Sequence, residues 1–254
     1  MSRRHHRVRE TWNSFWGDLL LRRFHEDNPK RWSAREAKAH WLIENLAVKP
    51  GAHIVDLDCG DGVLDICLAR KGYEVTALDR IAPVLEAARK EAEGCGVQVN
   101  FAVADVRTYD FGVRNFHGAI FFDSLGLMGR DEEMDMLAAL RRGLRPHAFV
   151  AMDWPARGST TSWERTFPDG LLTASAEYDD TTRVQTIVPE FHHVDGRIIE
   201  LHDPYGPPDH LGVRRYIYTQ EEAEALLRHA GFRSQVVPHY STHDYHMILA
   251  TPEQ

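Results

Sequence analysis

A chain of 254 residues, 43% of them hydrophobic, is long enough to bury a sizeable core as one large or two small domains. Its net charge of −8 disfavours nonspecific attraction to nucleic acid or to an anionic membrane, and no apolar run approaches the roughly 20 residues of a membrane span. Three cysteines without a C-x-x-C pair favour a reduced, cytoplasmic setting. We therefore expect a cytoplasmic monomer or homodimer whose partner is a small molecule.

The first 47 residues are predicted to be mainly helical. Residues 1–10 are basic and lack an apolar stretch, which predicts a frayed, solvated end. An apolar stripe at helical spacing follows and predicts a helix; its members are Trp12, Phe15, Trp16, Leu19, Leu20 and Phe24. A second helix is predicted over residues 34–46.

Residues 53–62, with the sequence HIVDLDCGDG, form the pattern around which the chain is organised. An apolar run that breaks into small, turn-forming residues and resumes as an amphipathic segment predicts a strand, a tight loop and a helix. Gly60 and Gly62 let the backbone approach a ligand, and the helix that follows offers unpaired N–H groups. A second strand ends on Asp79, whose carboxylate can accept two hydrogen bonds from a ribose diol.

The residues of this loop indicate which nucleotide it suits. A dinucleotide fingerprint requires G-x-G-x-x-G, but Asp58 stands where its first glycine would be. A pyrophosphate would therefore meet carboxylates, which disfavours the alternative of an NAD-dependent oxidoreductase. Asp56, Asp58 and Asp61 instead suit a ligand with cationic groups, such as S-adenosylmethionine (SAM), which carries a sulfonium and an ammonium but no phosphate.

The stretch resembles the first motif of class I SAM-dependent methyltransferases, in which an acidic residue precedes a glycine-rich loop. Asp56, Gly60 and Gly62 match this motif, whereas Asp58 replaces its usual first glycine. Further matches follow in order, and the resemblance covers about residues 48–154. They are Asp79, the sequence Ala104-Asp105-Val106 after a third strand at 99–103, and a fourth strand at 118–123.

The resemblance implies an α/β fold with a Rossmann-like, doubly wound, mostly parallel seven-stranded sheet. Residues 1–47 would form a helical lid, 48–155 the SAM-binding core, and 216–254 a last helix and an antiparallel hairpin that complete the sheet. Alternating apolar segments at 171–178, 182–192 and 197–203 predict an antiparallel β meander inserted at 156–215, which would cover the acceptor. A capping box, Thr219-x-x-Glu222, predicts the start of the last helix.

The resemblance also implies cofactor contacts. Asp79 would hold the ribose, Asp105 and Val106 the adenine, Gly60 and Gly62 the methionine portion, with Asp123 beside its amino group. Asp105 could instead be a turn cap, and Trp16 could belong to a helix packed on the core rather than to a lid over SAM. The remaining implied contacts are Asp56, Asp58, Cys59, Arg80 and Phe122.

The predicted chemistry is an in-line displacement at the methyl group, in which alignment supplies much of the acceleration. A base is needed when the acceptor is protonated, and histidine titrates near neutrality. We predict His243 in the turn of the terminal hairpin first, then His193, with Asp153 as a carboxylate that orients an amine. His239, His243 and His246 could instead bind a metal, but their spacing is not diagnostic and we predict no metal site.

The resulting hypothesis is a SAM-dependent methyltransferase acting at N, O or C of a small molecule, with secondary metabolism as the expected setting and S-adenosylhomocysteine (SAH) as product. The D-P-P-Y motif of amino-type DNA methyltransferases is absent after the fourth strand, so nucleic acid is not the expected acceptor. A methyltransferase-like SAM-binding or scaffold protein without catalysis is the alternative, supported by Asp58.

Overall fold

The computed structural model describes residues 6–24, 29–46, 48–202, 210–241 and 244–253. The helices are α1 (Trp12–Phe24), α2 (Pro29–Asn45), α3 (Val63–Arg70), α4 (Ala82–Gly94), α5 (Arg130–Gly143) and α6 (Gln220–His229). The strands are β1 (His6–Glu10), β2 (His53–Leu57), β3 (Glu74–Asp79), β4 (Asn100–Val103), β5 (Phe116–Phe121), β6 (Leu144–Pro155), β7 (Thr161–Phe167), β8 (Gly170–Asp179), β9 (Val184–His193), β10 (Arg197–Leu201), β11 (Val213–Tyr216), β12 (Phe232–Val237) and β13 (Tyr245–Pro252). Among these residues, no helix combines the length and the apolar composition that crossing a membrane requires.

Seven of the described strands form the central sheet, in the order β4-β3-β2-β5-β6-β13-β12. Strand β13 runs antiparallel to both of its neighbours, so β12 is parallel to the rest. Strands β2, β3 and β5 are near-continuous apolar runs because a parallel sheet is covered by helices on both faces. This arrangement confirms the predicted doubly wound sheet with its terminal antiparallel hairpin.

The sheet has a topological switch point between β2 and β5. From β2 the chain continues outward to β3 and β4, and from β5 it continues to β6 on the other side, so a crevice opens where β2 and β5 end. Asp58 and Asp123 follow these two strands, and both have a left-handed backbone, with φ of 60° and 57°. Such conformations cost about 1–3 kcal/mol in a residue other than glycine and are concentrated at functional sites.

The inserted segment forms a second sheet in the order β1-β10-β9-β8-β7, with β11 paired to β9. The predicted meander is present, but β7 and β11 were not predicted. The prediction of a frayed amino terminus is wrong for residues 6–10, because β1 pairs in parallel with β10. The free edge of β10 offers backbone partners, and the Arg7 guanidinium pairs with Glu190 and Glu200.

Helix α1 joins the second sheet to the core. Its Phe15 and Leu19 pack in an apolar cluster with residues of the second sheet, which are Phe167, Leu172, Phe191, Ile199, Leu201 and Val213. On the core side Gly17 faces Ile81, where an added Cβ would lie 3.1 Å from the Ile81 Cγ2 atom. Helix α1 and the second sheet therefore form a continuous roof beside the carboxyl edge of the central sheet.

Gly62 and Gly60 have the same left-handed backbone but different surroundings. An added Cβ at Gly62 would lie 2.7 Å from the Phe101 ring and 3.0 Å from the Ala88 Cβ, whereas at Gly60 it would meet nothing within 4 Å. We expect Gly62→Ala to lower the free energy of unfolding by about 2–4 kcal/mol, through positive-φ strain and overpacking together. Gly60→Ala should cost about 1 kcal/mol, from strain alone. Urea denaturation of both variants checks this, and equal losses would contradict it.

Candidate functional site

A cavity of about 630 Å³ lies at the carboxyl edge of the central sheet, under the roof formed by α1 and the second sheet. Its volume lies in the usual range for small-molecule sites. Most of the predicted cofactor and catalytic residues line it. They are Trp16, Asp56, Asp58, Cys59, Gly60, Asp79, Arg80, Asp105, Val106, Phe122, Asp123 and Asp153.

Three predicted site residues are not among those lining the cavity. Gly62 faces Phe101 and Ala88, so it shapes the packing of α3 against the core rather than lining the cavity. The imidazole of His193 is engaged by its own sheet, with Nδ1 2.9 Å from the Asp195 carboxylate and Nε2 3.7 Å from that of Asp169. His193 therefore does not line the cavity that most of the other predicted residues share. His243 lies outside the described residues.

The Asp79 carboxylate is held by the backbone at the end of β3. Oδ2 accepts a hydrogen bond from the Gly60 N–H at 2.9 Å, and Oδ1 accepts one from the Ile81 N–H at 3.0 Å. Burial raises the pKa of Asp79, and these backbone donors oppose the increase. The carboxylate is thus fixed in the cavity wall, and its remaining lone pairs can accept hydrogen bonds from a diol.

The Asp105 carboxylate is clamped by a residue that was not predicted to matter. The Arg107 guanidinium donates Nε to Oδ1 at 2.9 Å and Nη2 to Oδ2 at 2.6 Å, and Arg80 lies 3.8 Å from Oδ2. The hydrogen bonds from Arg107 lower the pKa of Asp105. An adenine amino group at this position would share the carboxylate with Arg107, while the buried Val106 lines the same part of the cavity.

Two carboxyl groups meet without a cation between them in the floor of the cavity. Asp56 is buried at the end of β2, and the fully buried Asp65 of α3 has no hydrogen-bond partner for either oxygen among the described residues. Burial raises the pKa of both groups, and the Asp56 charge raises the pKa of Asp65 further, whereas interaction with the Asp65 carboxyl group lowers the pKa of Asp56. Lys38 and Arg35, which approach from α2, partly offset this effect at Asp56.

This carboxyl pair predicts an unusual dependence of stability on pH. Because the folded protein holds protons on Asp56 and Asp65 above the unfolded value of 3.8, the free energy of unfolding should fall as pH rises from about 4 to about 8. Asp65→Asn removes the repulsion, so it should stabilise the ligand-free protein by about 1–3 kcal/mol at about pH 8 and far less at about pH 5. Denaturation at both pH values tests this, with Asp135→Asn on the exposed face of α5 as control. Equal stabilisation at the two pH values would contradict it.

A second group of polar side chains surrounds Asp153 at the end of β6. Its Oδ2 atom lies 3.4 Å from the Lys38 Nζ and 3.4 Å from the His239 Nε2, and its Oδ1 accepts the Asp123 N–H at 2.6 Å. The Lys38 ammonium also lies 4.0 Å from the centre of the Phe122 ring. All of these residues line the cavity, so a buried lysine, a carboxylate and an imidazole meet in its wall.

The Asp123 carboxylate connects three parts of the fold. Its Oδ1 atom accepts hydrogen bonds from the Arg215 Nη1 of β11 and from the Tyr245 hydroxyl of β13, both at 3.0 Å. The loop that follows is fixed from the core side, where the buried Glu133 accepts the Gly126 N–H at 2.6 Å. Asp123 therefore links the second sheet and the terminal hairpin to the end of β5.

Sequence reasoning missed several residues that line the cavity. These are Arg35, Lys38, Arg107, Arg215, His239 and Tyr245. Arg35 and Lys38 are three residues apart, so they share one face of α2, but the sequence does not show what that face meets. His246 packs beside the Trp154 ring, at 5.3 Å, and does not line the cavity with His239. Within the part of the chain that the structure describes, no group of three His, Cys, Asp or Glu side chains could hold a metal ion.

Comparison with known proteins finds similarity to methyltransferases. A model of the methyltransferase domain matches residues 54–147. The ubiquinone biosynthesis O-methyltransferase of Methylocella silvestris is 28% identical over 202 residues, covering 68% of this chain and 78% of that relative. The CcbJ methyltransferase of Streptomyces caelestis superimposes with a TM-score of 0.70 at 18% identity, over 94% of this chain and 98% of that one.

A second structure extends the likeness in fold. CalS10, described as an amino pentose methyltransferase from Micromonospora echinaspora with SAM bound, gives a TM-score of 0.62 at 19% identity, over 92% of this chain and 96% of its own. At such identities the structural likeness supports the fold, and the matched residues 54–147 contain the glycine loop, Asp79 and Asp105. Residues 54–147 therefore match a methyltransferase domain, and the described chain shares its fold with SAM-dependent methyltransferases.

Proposed function

We propose that this protein transfers the methyl group of SAM to an oxygen or nitrogen atom of a small molecule bound in the same cavity. One observation carries the proposal. The carboxylates that end β3 and follow β4, Asp79 and Asp105, both line a single cavity beside Gly60, at the switch point of the sheet.

The residues present fit SAM. Open space beside Gly60 lets a ligand approach the loop backbone, and Asp79 presents a fixed carboxylate for the ribose diol. Asp105 and Val106 would hold the adenine, and Arg35 and Lys38 supply cations for the methionine carboxylate. When bound here, SAM supplies an electrophilic methyl group.

The roof is the part of the fold that suits an acceptor. Residues 1–47 and 156–215 would act together as a cover that excludes water and positions the acceptor. Trp16 lines the cavity, and its indole Nε1 is buried without a hydrogen-bond partner among the described residues. Trp163 of β7 lines the cavity from the second sheet while its side chain stays partly exposed.

Proton transfer would involve the Asp153 group. A hydroxyl or ammonium acceptor must lose a proton, and the Asp153 carboxylate and the His239 imidazole line the cavity within 3.4 Å of each other. The relatives named above act on oxygen in one case and on an amino pentose in the other. Both kinds of acceptor are compatible with a cavity wall that contains these groups.

Isothermal titration calorimetry and a methyl-transfer assay test the proposal. Purified protein should bind SAM and SAH with about micromolar dissociation constants and should not bind NAD. Methyl-labelled SAM should then label at least one acceptor class in a panel of phenols, catechols and amino sugars. Binding without transfer across the panel would favour a non-catalytic SAM-binding protein. Folded protein that binds neither SAM nor SAH would reject the proposal, and binding of NAD would restore the oxidoreductase alternative.

A further inference from the structure

Asp58 is the residue that distinguishes this loop from the motif it resembles. It occupies the position of the usual first glycine and keeps a backbone suited to glycine, with φ of 60°. Its side chain adds a carboxylate to the lining of the cavity at the end of β2. The chain therefore carries an ionisable carboxyl group where a glycine would provide none.

Among the described residues the charge on Asp58 is only partly balanced, by the nearby Arg80, which lowers its pKa. Five other carboxylates that line the cavity have closer donors: Asp61 pairs with Arg31, Asp79 with backbone N–H groups, Asp105 with Arg107, Asp123 with Arg215, and Asp153 with Lys38. A sixth, Asp56, has Lys38 and Arg35 nearby, and both lower its pKa. Asp58 has the Ser124 hydroxyl as a neighbouring donor but forms no ion pair with a described lysine or arginine. Burial, together with the nearby Asp79, raises the pKa of Asp58 to about 7. A cation entering the cavity would relieve this imbalance.

The neighbours of Asp58 indicate which part of the cofactor it faces. The two residues after Asp58 are hydrogen-bonded to the end of β3: the Cys59 N–H donates to the Leu78 carbonyl at 2.9 Å, and the Gly60 N–H donates to the Asp79 Oδ2 at 2.9 Å. The charges of Asp79 and Asp105 raise the pKa of Asp58, and that of Arg80 lowers it. Asp58 thus lies on the side of the cavity that would hold adenosine. The cation of SAM bonded directly to the adenosine is the sulfonium, whereas the ammonium lies farther along the methionine chain.

We propose that the Asp58 carboxylate interacts with the sulfonium of SAM and makes the protein select SAM over SAH. This inference rests on the proposed function. In methyl transfer the carbon–sulfur bond breaks with both electrons remaining on sulfur, while an acceptor lone pair forms the new bond to carbon and the acceptor proton passes to a base or to water. The sulfur becomes neutral, so SAH loses the attraction to Asp58 and is released more easily.

Competition calorimetry on two variants tests this inference. Asp58→Asn removes the charge and keeps the shape, and Asp58→Gly removes the charge and relieves the backbone strain. Both variants should lower the ratio of the SAH dissociation constant to the SAM dissociation constant by about tenfold, mainly because SAM binds more weakly. Sinefungin carries a protonated amine in place of the sulfonium, so its affinity for both variants should fall as that of SAM does. Asp135→Asn is the matched control, because it removes one negative charge from the exposed face of α5, outside the cavity.

The outcomes separate this inference from the proposed function. If the wild-type protein binds neither SAM nor SAH, the proposed function fails. If it binds both but the two Asp58 variants weaken them equally, Asp58 acts on the shared ammonium or on the loop alone, and the inference is overturned. The same shift in the Asp135→Asn control would also overturn it, because the effect would then belong to net charge rather than to Asp58.

Discussion

Replacement of Lys38 by methionine is expected to lower the free energy of unfolding by about 3–5 kcal/mol, the usual cost of removing one partner from a buried ion pair. Lys38 is 6% exposed and Asp153 is 2% exposed, so water cannot replace the lost ammonium. The Asp153 carboxylate would keep the Asp123 N–H and His239 but lose its one lysine. Asp56 would also lose the Lys38 charge that favours its ionisation. Urea denaturation near neutral pH measures the effect.

A surface lysine and a double variant provide the controls. Lys90 lies 3.6 Å from Glu86 with both side chains exposed, so Lys90→Met should cost at most about 1 kcal/mol. Combining Lys38→Met with Asp153→Asn removes both charges, and the double variant should be more stable than the sum of the single losses predicts. Additive losses in the free energy of unfolding, or a Lys38→Met variant as stable as wild type, would show that Lys38 and Asp153 do not form an energetically coupled ion pair.

Replacement of Asp79 by alanine is expected to weaken SAM binding by about 3 kcal/mol, roughly a hundredfold, because two hydrogen bonds to a charged acceptor are lost. The carboxylate also accepts the Gly60 and Ile81 N–H groups, so the loop loses part of its support. Calorimetry measures the affinity, and a thermal melt shows whether the variant is folded. The affinity for SAH should fall by the same factor, because SAM and SAH carry the same ribose.

The equal loss of SAM and SAH distinguishes Asp79 from Asp58. An exposed carboxylate in the same half of the protein, Asp110, serves as the control, and Asp110→Ala should leave both affinities unchanged. A folded Asp79→Ala variant with wild-type affinity for SAM would contradict the placement of the ribose. It would also remove the main support for the proposed use of this cavity.

Interactions between neighbours in the chain could be predicted from the sequence. The capping box is present as expected, with the Glu222 N–H donated to the Thr219 hydroxyl and the Thr219 N–H donated to the Glu222 carboxylate. The strands around Asp79 and Asp105 were likewise predicted, because each strand is a continuous apolar run whose last residue can be identified in the sequence. Carboxyl ends of parallel strands meet at one edge, so Asp79 and Asp105 came together as expected.

Interactions between distant segments were decided by the tertiary structure. Strand β1 becomes ordered because β10, about 190 residues later, leaves a free edge for it. His239 and Lys38 meet at Asp153 although 201 residues separate the two of them in sequence, since 239 − 38 = 201. The sequence does not show which way a histidine side chain faces in the folded protein. His193 was therefore predicted as a catalytic residue, whereas His239 was considered only as a metal ligand.

The sequence by itself determined the half of the cavity that we propose binds SAM, because its strand ends, glycine loop and carboxylates follow from patterns within single βα units. Only the tertiary structure decided the other half, which we propose holds the acceptor. There α1, α2, the second sheet and the terminal hairpin each contribute one or a few side chains to the same cavity. The physical reason is that a backbone pattern specifies local conformation and a buried face. Which polar side chains share a low-dielectric space depends on how separate elements pack against one another.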